Sequence, residues 1–190
     1  SQRFDDGPSQ LAFDHYLAAR MERASQLDAI DAHLAGAAEH PPLSESVARL
    51  RCLRGIDTLS AVGLCAEIGD FRRFARAGQL MHYVGLVPAE FSSGEQRRLG
   101  SITKTGSRHA RRLLVEAAWH YRHRPYVGKA IEARQAGQPA AAVAISWSAQ
   151  RRLHRTWERL RARGKRPGLI AVAVARELAG FAWAIATLEE

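Results

Sequence analysis

Apolar residues return every three or four positions along almost the whole of this chain, and the recurrence fails over one long stretch only, Leu86 to Thr105. A period near 3.6 lines those side chains along one face of a helix, whereas strands need a period of two. The chain therefore reads as mainly α, a helical bundle with one irregular segment and a long helix at its N-terminal end. At 190 residues and 46% hydrophobic content it is large enough to bury a real core.

From about Ser9 to Leu34, Phe13, Leu17, Met21, Ala24, Leu27, Ile30 and Leu34 form a narrow apolar stripe interrupted by charged positions. That is one amphipathic helix, whose stripe resembles a coiled-coil seam as much as a face that packs on its own domain. Pro41 and Pro42 close it, and Ser44 opens a new helix as a polar N-cap. The boundary falls here: residues 1–42 are a linker with a coiled-coil-like helix, and 43–190 are a second domain.

Within that domain, Leu50, Leu53, Ile56, Ala61 and Leu64 are spaced to pack across two short helices joined at Gly55. Residues 47–69 thus resemble a helix-hairpin-helix, in which the turn and the next helix N-terminus offer backbone N–H groups to a phosphate, so Gly55 and Thr58 are candidate DNA contacts. Asp57 stands where such hairpins usually carry a second glycine; it can cap the second helix, and it also repels phosphate. An ordinary helical hairpin that holds the core is the competing interpretation.

A further short helix is expected over Phe71 to Gly85. After the irregular segment, helices are expected at about Ser107 to Arg122, Gly128 to Ala136, Ala140 to Arg163 and Leu169 to Leu188, the last two largely apolar on one face. Trp119, Trp147, Trp157 and Trp183 fall on apolar faces and are placed in the core rather than on a base-stacking surface.

Charge narrows the partners. Twenty-eight Lys and Arg against nineteen Asp and Glu leave +9, which suits a polyanion such as DNA or RNA. Arg151, Arg152, Arg155, Arg159, Arg161, Arg163, Lys165 and Arg166 crowd one helix end and the following loop, either tracking a phosphate backbone or forming a solvated face favoured by the helix dipole. Cys52 and Cys65 are the only cysteines and sit in apolar helical patterns, as buried reduced thiols do. The start has no secretory signal, and no apolar run approaches the roughly 18 residues of a membrane span. A cytoplasmic location with no membrane partner is expected, and a chain that opens on Ser1 rather than Met is expected to be a piece of something longer.

The irregular segment, residues 86–106, is the place for chemistry. Ser92 and Ser93 precede Gly94, and Arg97, Arg98 and Lys104 follow within a few positions. A serine is a weak nucleophile at neutral pH, and fixed cations stabilise the charge that develops on phosphoryl oxygens when it attacks phosphorus. No general base can be assigned from these residues, and a Ser-Ser-Gly taken without context is usually just a loop.

Read in order, Leu53-Arg54-Gly55-Ile56-Asp57, Ala66 to Phe71 with Arg73-Phe74, Gly85-Leu86-Val87-Pro88, Ser93-Gly94, Gly100 to Gly106 and Arg111 to Trp119 resemble the C-terminal transposase domain of the DEDD-type insertion-sequence transposases. That family includes the Piv-like DNA invertases and the bridge-RNA-guided recombinases. The resemblance covers about Val47 to Tyr121, and Ala149 to Leu153 and Ala173 to Phe181 look like the family's tail. Ser107 departs from it, standing where many relatives have Asn, and a helix N-cap tolerates either.

The resemblance implies a serine that attacks a DNA phosphodiester and is held covalently to the strand until rejoining. Ser93 matches that position, with Ser92 one residue away as the fallback. It also implies an N-terminal RuvC-like domain whose acidic residues bind Mg2+, joined by a coiled-coil connector; only the connector has a counterpart here, so no cofactor is expected in this chain. DNA, in some members a guide RNA, the RuvC-like domain and further copies of the chain are the implied partners. Gly55, Thr58, Gly94, Arg97, Arg98, Lys104, Arg108, Arg111, Arg112, Arg151 and Arg155 are the candidate DNA or RNA contacts.

The alternatives are a non-catalytic helix-hairpin-helix DNA- or RNA-binding module, and an interaction or dimerisation domain built on the first helix. His120 and His123 have a spacing that can share a metal, but no third ligand accompanies them, so no metal site is expected. Asp5-Asp6 and Glu189-Glu190 lie at the termini and make no paired-carboxylate site, and no glycine-rich nucleotide loop is present.

Overall fold

The structure is a computed structural model that describes residues 2–93 and 96–189, with backbone alone over 91–93 and 96–99. Eight α-helices and one antiparallel strand pair make it up: α1 Gly7–Ala37, α2 Ser44–Leu50, α3 Thr58–Ile68, α4 Ala77–Tyr83, β1 Pro88–Ser93, β2 Gln96–Ile102, α5 Arg108–Ala118, α6 Lys129–Gln135, α7 Ala140–Ala162 and α8 Pro167–Ala186. Short 3-10 turns at Phe71–Arg73 and Trp119–Arg122 complete it. The mainly helical class is as the periodicity indicates, and the helix after the irregular segment, expected to run to Arg122, tightens to 3-10 geometry at Trp119.

The bundle is organised around α8, which packs against α2, α4, α5 and α7. Ile170, Val174, Leu178, Ala182 and Ala186 repeat every fourth residue, and Ala171, Ala175 and Ala179 widen the buried arc beside them. Small side chains on that arc let four neighbours approach one helix. Gly180 marks the limit, since a Cβ there would stand 2.7 Å from Met81 Cε. The sequence expectation that no apolar run nears membrane-spanning length needs correction: α8 spans 20 residues with a mean hydropathy of 1.7. Half of that stretch is buried in the bundle, so its apolarity is accounted for by its central place in the core.

The stretch expected to be one helix over Phe71 to Gly85 is broken. Asp70 Oδ1 accepts from the Arg72 N–H at 2.8 Å and sets a 3-10 turn instead, after which α4 starts at Ala77. Arg73 then lies over the Phe74 and Tyr83 rings, 4.6 and 4.5 Å from their centroids.

Residues 51–57, between α2 and α3, are held by groups far along the chain. The Cys52 carbonyl accepts from Ser146 Oγ at 2.5 Å and from Gln135 Nε2 at 3.3 Å, and Arg134 donates to the Ile56 carbonyl at 2.8 Å. Carbonyls left over at the end of a helix need such partners when water is excluded. Ser146 is fully buried, so Ser146→Ala is expected to cost about 1–2 kcal/mol, measured as a lower urea midpoint at unchanged m-value.

Cys52 and Cys65 are free and buried. Burial pushes both thiols up, Cys65 to about 11, which makes them poor nucleophiles and matches the inert role expected from sequence.

By contrast, α1 contributes no buried residue. Asp6 caps it by accepting from the Ser9 N–H at 2.7 Å, and at its far end it meets α3 while Ala38 enters the core. Leu11, Tyr16, Leu17, Met21, Leu27, Ile30 and Leu34 remain exposed along it.

Candidate functional site

Residues 86–106 are not irregular, as their composition suggested, but fold largely into the β1–β2 hairpin. Pro88 pairs with Ile102, Glu90 with Leu99, Phe91 with Arg98, Ser92 with Arg97 and Ser93 with Gln96. The register shifts between Pro88 and Glu90, a bulge that strengthens the local twist. Ser93 is the last residue of β1, roughly 17 Å from the strand's start by the rise of an extended chain. Gly94 lies outside the described residues, as do the side chains of Ser92, Ser93, Arg97 and Arg98.

The base of the hairpin is fixed with unusual density. Thr103 N–H donates to the Val87 carbonyl at 2.9 Å and Lys104 N–H to the Gly85 carbonyl at 3.1 Å. Gly85 and Gly106 both have positive φ, and at both a Cβ would overlap backbone, that of Thr105 and of Tyr83 respectively. Lys104 itself sits at φ 57, a conformation that costs a side-chain-bearing residue about 1 kcal/mol or more.

Two side chains then tie the base to the bundle. Arg111 Nη1 donates to the Val84 and Thr105 carbonyls at 2.9 and 3.0 Å, so this candidate DNA contact is engaged in positioning the hairpin. Glu67, at the end of α3, accepts from Ser107 Oγ at 2.6 Å and pairs with His109 Nδ1 at 3.2 Å. The Ser107 bond, then the His109 bond, hold the Glu67 carboxyl below its usual range. Ser107 meanwhile caps α5 by accepting from the Ala110 N–H at 3.0 Å, the role its place after Gly106 suggested.

The other candidates separate into two surfaces and an interior position. Lys104, Arg108 and Arg112 are exposed at the hairpin base and along α5, Arg112 with a loose 3.8 Å ion pair to Glu116. On α7, Arg152, Arg155, Thr156 and Arg159 line an open groove of about 620 Å³ against Glu177 of α8, and Arg151 continues it beside Ser148 and Phe181. Glu177 is taken up by Arg152 at 2.8 Å and Thr156 at 3.2 Å. Among the described residues no carboxylate pairs with Arg151, Arg155 or Arg159, so the groove keeps a net positive charge.

Gly55 is the interior position. A Cβ there would stand 2.6 Å from the Ala117 carbonyl oxygen and 2.9 Å from His120 Cδ2, so its lack of a side chain serves packing against α5. Thr58 begins α3, and Asp57 caps that helix by accepting from the Ser60 N–H at 2.8 Å. A carboxylate therefore already occupies the helix end at which a phosphate would have bound.

His120 and His123 have different neighbours. His123 Nε2 accepts from Arg122 Nε at 3.1 Å. Burial, followed by Arg54, His123, Arg122 and Arg134, pushes His120 below its ordinary value. No group of three His, Cys, Asp or Glu side chains among the described residues is arranged to hold a metal ion.

Sequence reasoning gave no role to Glu67, whose partners lie 40 and 42 residues away, and it named Arg159 in the basic run without carrying it into the candidate contacts, where the groove places it. The i, i+4 and i+8 spacing of Arg151, Arg155 and Arg159 was the signal for the latter.

Residues 47–132, which take in the end of α2, α3, the strand pair and α5, match the family described as Transposase IS116/IS110/IS902 family. The chain is 47% identical over 147 residues, 77% of its length, to y4qE of Sinorhizobium fredii, named as a transposase. It is 32% identical over 165 residues, 86% of its length, to the transposase for insertion sequence element IS1533 of Leptospira borgpetersenii. It is also 36% identical over 75 residues to the transposase for insertion sequence element IS1111A of Coxiella burnetii. The matched segments are 38%, 47% and 21% of those relatives' own lengths, so the chain spans less than half of each. The chain is thus similar to parts of insertion-sequence transposases, over the family segment and beyond it.

Proposed function

We propose that this chain is the C-terminal part of a DEDD-type transposase that breaks and rejoins DNA through a serine on the β1–β2 hairpin. The observation that carries the proposal is a strand pair whose first strand ends on Ser92 and Ser93, locked at its base by Gly85, Gly106, Arg111 and the Glu67–Ser107 bond, within the stretch that matches the transposase family. A group that must meet one phosphorus atom needs a support that does not swing.

In the proposed step the Ser93 oxygen attacks phosphorus, an O–P bond forms, and the P–O bond to the departing deoxyribose oxygen breaks. The serine proton leaves to a base and the departing oxygen takes one up. Bond energy is conserved for the reverse attack that rejoins the strand. Arg97, Arg98 and Lys104 offset charge on the phosphoryl oxygens. Mg2+ belongs to a RuvC-like domain elsewhere in the parent protein. The exposed stripe of α1 is the connector to it and the surface for pairing with another copy, and the reaction takes place at DNA in the cytoplasm, with a guide RNA in a member that uses one.

The test uses the full-length parent protein with Mg2+, element-end DNA and any cognate RNA, and looks for covalent protein–DNA adducts on denaturing gels. Loss of the adduct in Ser93→Ala but not Ser92→Ala, with DNA binding kept, is the expected result. An adduct that survives both substitutions would remove the serine chemistry and leave a binding module.

The basic surfaces have their own expectation. Arg155→Ala is expected to weaken binding to all DNA sequences alike and to reduce the slope of log K against log salt by about one. Filter-binding titrations over a salt series would measure it, and an unchanged slope would place the DNA elsewhere.

A further inference from the structure

Three of the four tryptophans are covered to different degrees: Trp157 is buried, and Trp119 and Trp183 pack half-buried against the core. Trp147 is the exception to the expected core placement, 40% exposed on α7. Tyr126 is 67% exposed, on the segment that leads into α6. Its N–H donates to Gln150 Oε1 at 3.0 Å, and Gln150 is one helical turn beyond Trp147. A Cβ on Gly128 would lie 3.1 Å from Tyr126 Cε1, so one side of the ring rests on that glycine.

The segment that carries Tyr126 is held in place. Arg54 donates to the Arg124 carbonyl at 2.9 Å, fixing the chain just before it. Arg122 and Arg124, on the chain leading to Tyr126, and Arg151, on α7, are all exposed, and among the described residues none of them has a carboxylate partner. Arg151 follows Trp147 by one turn and also borders the α7 groove.

Two exposed aromatic rings cost hydration free energy, and guanidinium groups left without counter-charges repel one another. One ligand relieves both: a flat apolar face joined to a phosphate. Within a duplex those faces are already stacked on neighbouring bases, whereas an unpaired strand offers them.

We propose that Tyr126 and Trp147 form a stacking platform for unpaired nucleotides, with Arg124 and Arg151 holding the phosphates on either side. The site rests on the nucleic-acid role proposed above and lies outside the hairpin. It gives strand separation a place to be captured before or after the chemical step.

The test is fluorescence anisotropy of labelled oligo-dT, oligo-rU and a blunt duplex of equal length with the full chain. Tyr126→Leu and Trp147→Leu are each expected to weaken single-strand binding about tenfold and to leave duplex binding unchanged. Tyr126→Phe and Trp147→Phe, which keep a π face, are expected to retain it. The tighter of the oligo-dT and oligo-rU arms identifies the strand as DNA or RNA.

Leucine variants that bind single strands as well as the wild type would overturn the platform while leaving the basic groove as the contact. Leucine variants that melt early and lose duplex binding too would assign the rings to packing, and so overturn it. A wild-type chain that binds no nucleic acid would sink both the platform and the binding role of the basic surfaces. The adduct assay judges the serine chemistry separately.

Discussion

Gly106→Ala is expected to unseat the β1–β2 hairpin while the helical bundle stays folded. Gly106 has φ 68, which alone costs a side-chain-bearing residue about 1–2 kcal/mol. Its Cβ would also overlap the Tyr83 carbonyl oxygen, a backbone atom at the end of α4 that has no rotamer to escape into. Together the two effects are expected to exceed about 3 kcal/mol locally. Gly69→Ala is the control, since its φ is 69 but a Cβ there meets nothing within 4 Å. It should show the backbone cost alone. Hydrogen exchange separates the two: the Thr103 and Lys104 amides, bonded across the base, are expected to lose protection in Gly106→Ala while amides in the middle of α8 keep theirs. Protection retained at Thr103 would mean that α4 can yield and that the base is softer than its contacts indicate.

Ser93→Ala in the full-length parent is expected to reduce strand exchange by about three orders of magnitude or more, the scale seen when a covalent nucleophile is removed. DNA affinity should hardly change, because the Arg155 groove and the exposed arginines of α5 are untouched. That separation of rate from binding marks a residue acting only in the chemical step. Ser92→Ala should keep most of the activity, since Ser92 pairs with Arg97 one position back from the strand end. The reverse pattern, loss in Ser92→Ala alone, would transfer the role by one residue and require the other serine to be dispensable.

Helices were legible because their signal is local. The stripe from Val143 to Leu160 places α7 within a residue or two of its bounds, and the Pro41-Pro42 break and the Ser107 cap are each contained in a few residues. Ser44 does begin α2, but it is the first helical residue and not the expected N-cap: Leu43 holds that position, in helical geometry and with no side-chain cap bond. The hairpin was hidden for the opposite reason. The Ser, Gly and Arg between Ser92 and Ser101 look like loop composition and offer no apolar alternation from which strands could be read. What defines it is the pairing of Pro88 with Ile102 and the bond from Arg111 to Val84, 27 positions back, contacts that no local pattern encodes. Trp147 was misplaced because a wide helical stripe does not say which of its edges a neighbour covers. Gly55 was correctly singled out as a turn residue, while the reason glycine is needed there, the Ala117 carbonyl, comes from a helix some sixty positions on.

The length of α1 has a mechanical consequence. At 1.5 Å and 100° per residue, 31 residues make a rod of about 46 Å in which distance and rotation are locked together. Inserting one residue within it would swing anything joined at the Gly7 end through about 100° relative to the bundle, whereas inserting seven would nearly restore the original facing and only lengthen the arm by about 10 Å. The rod thus behaves as a phase-sensitive spacer, tolerant of changes by whole heptads and intolerant of single steps.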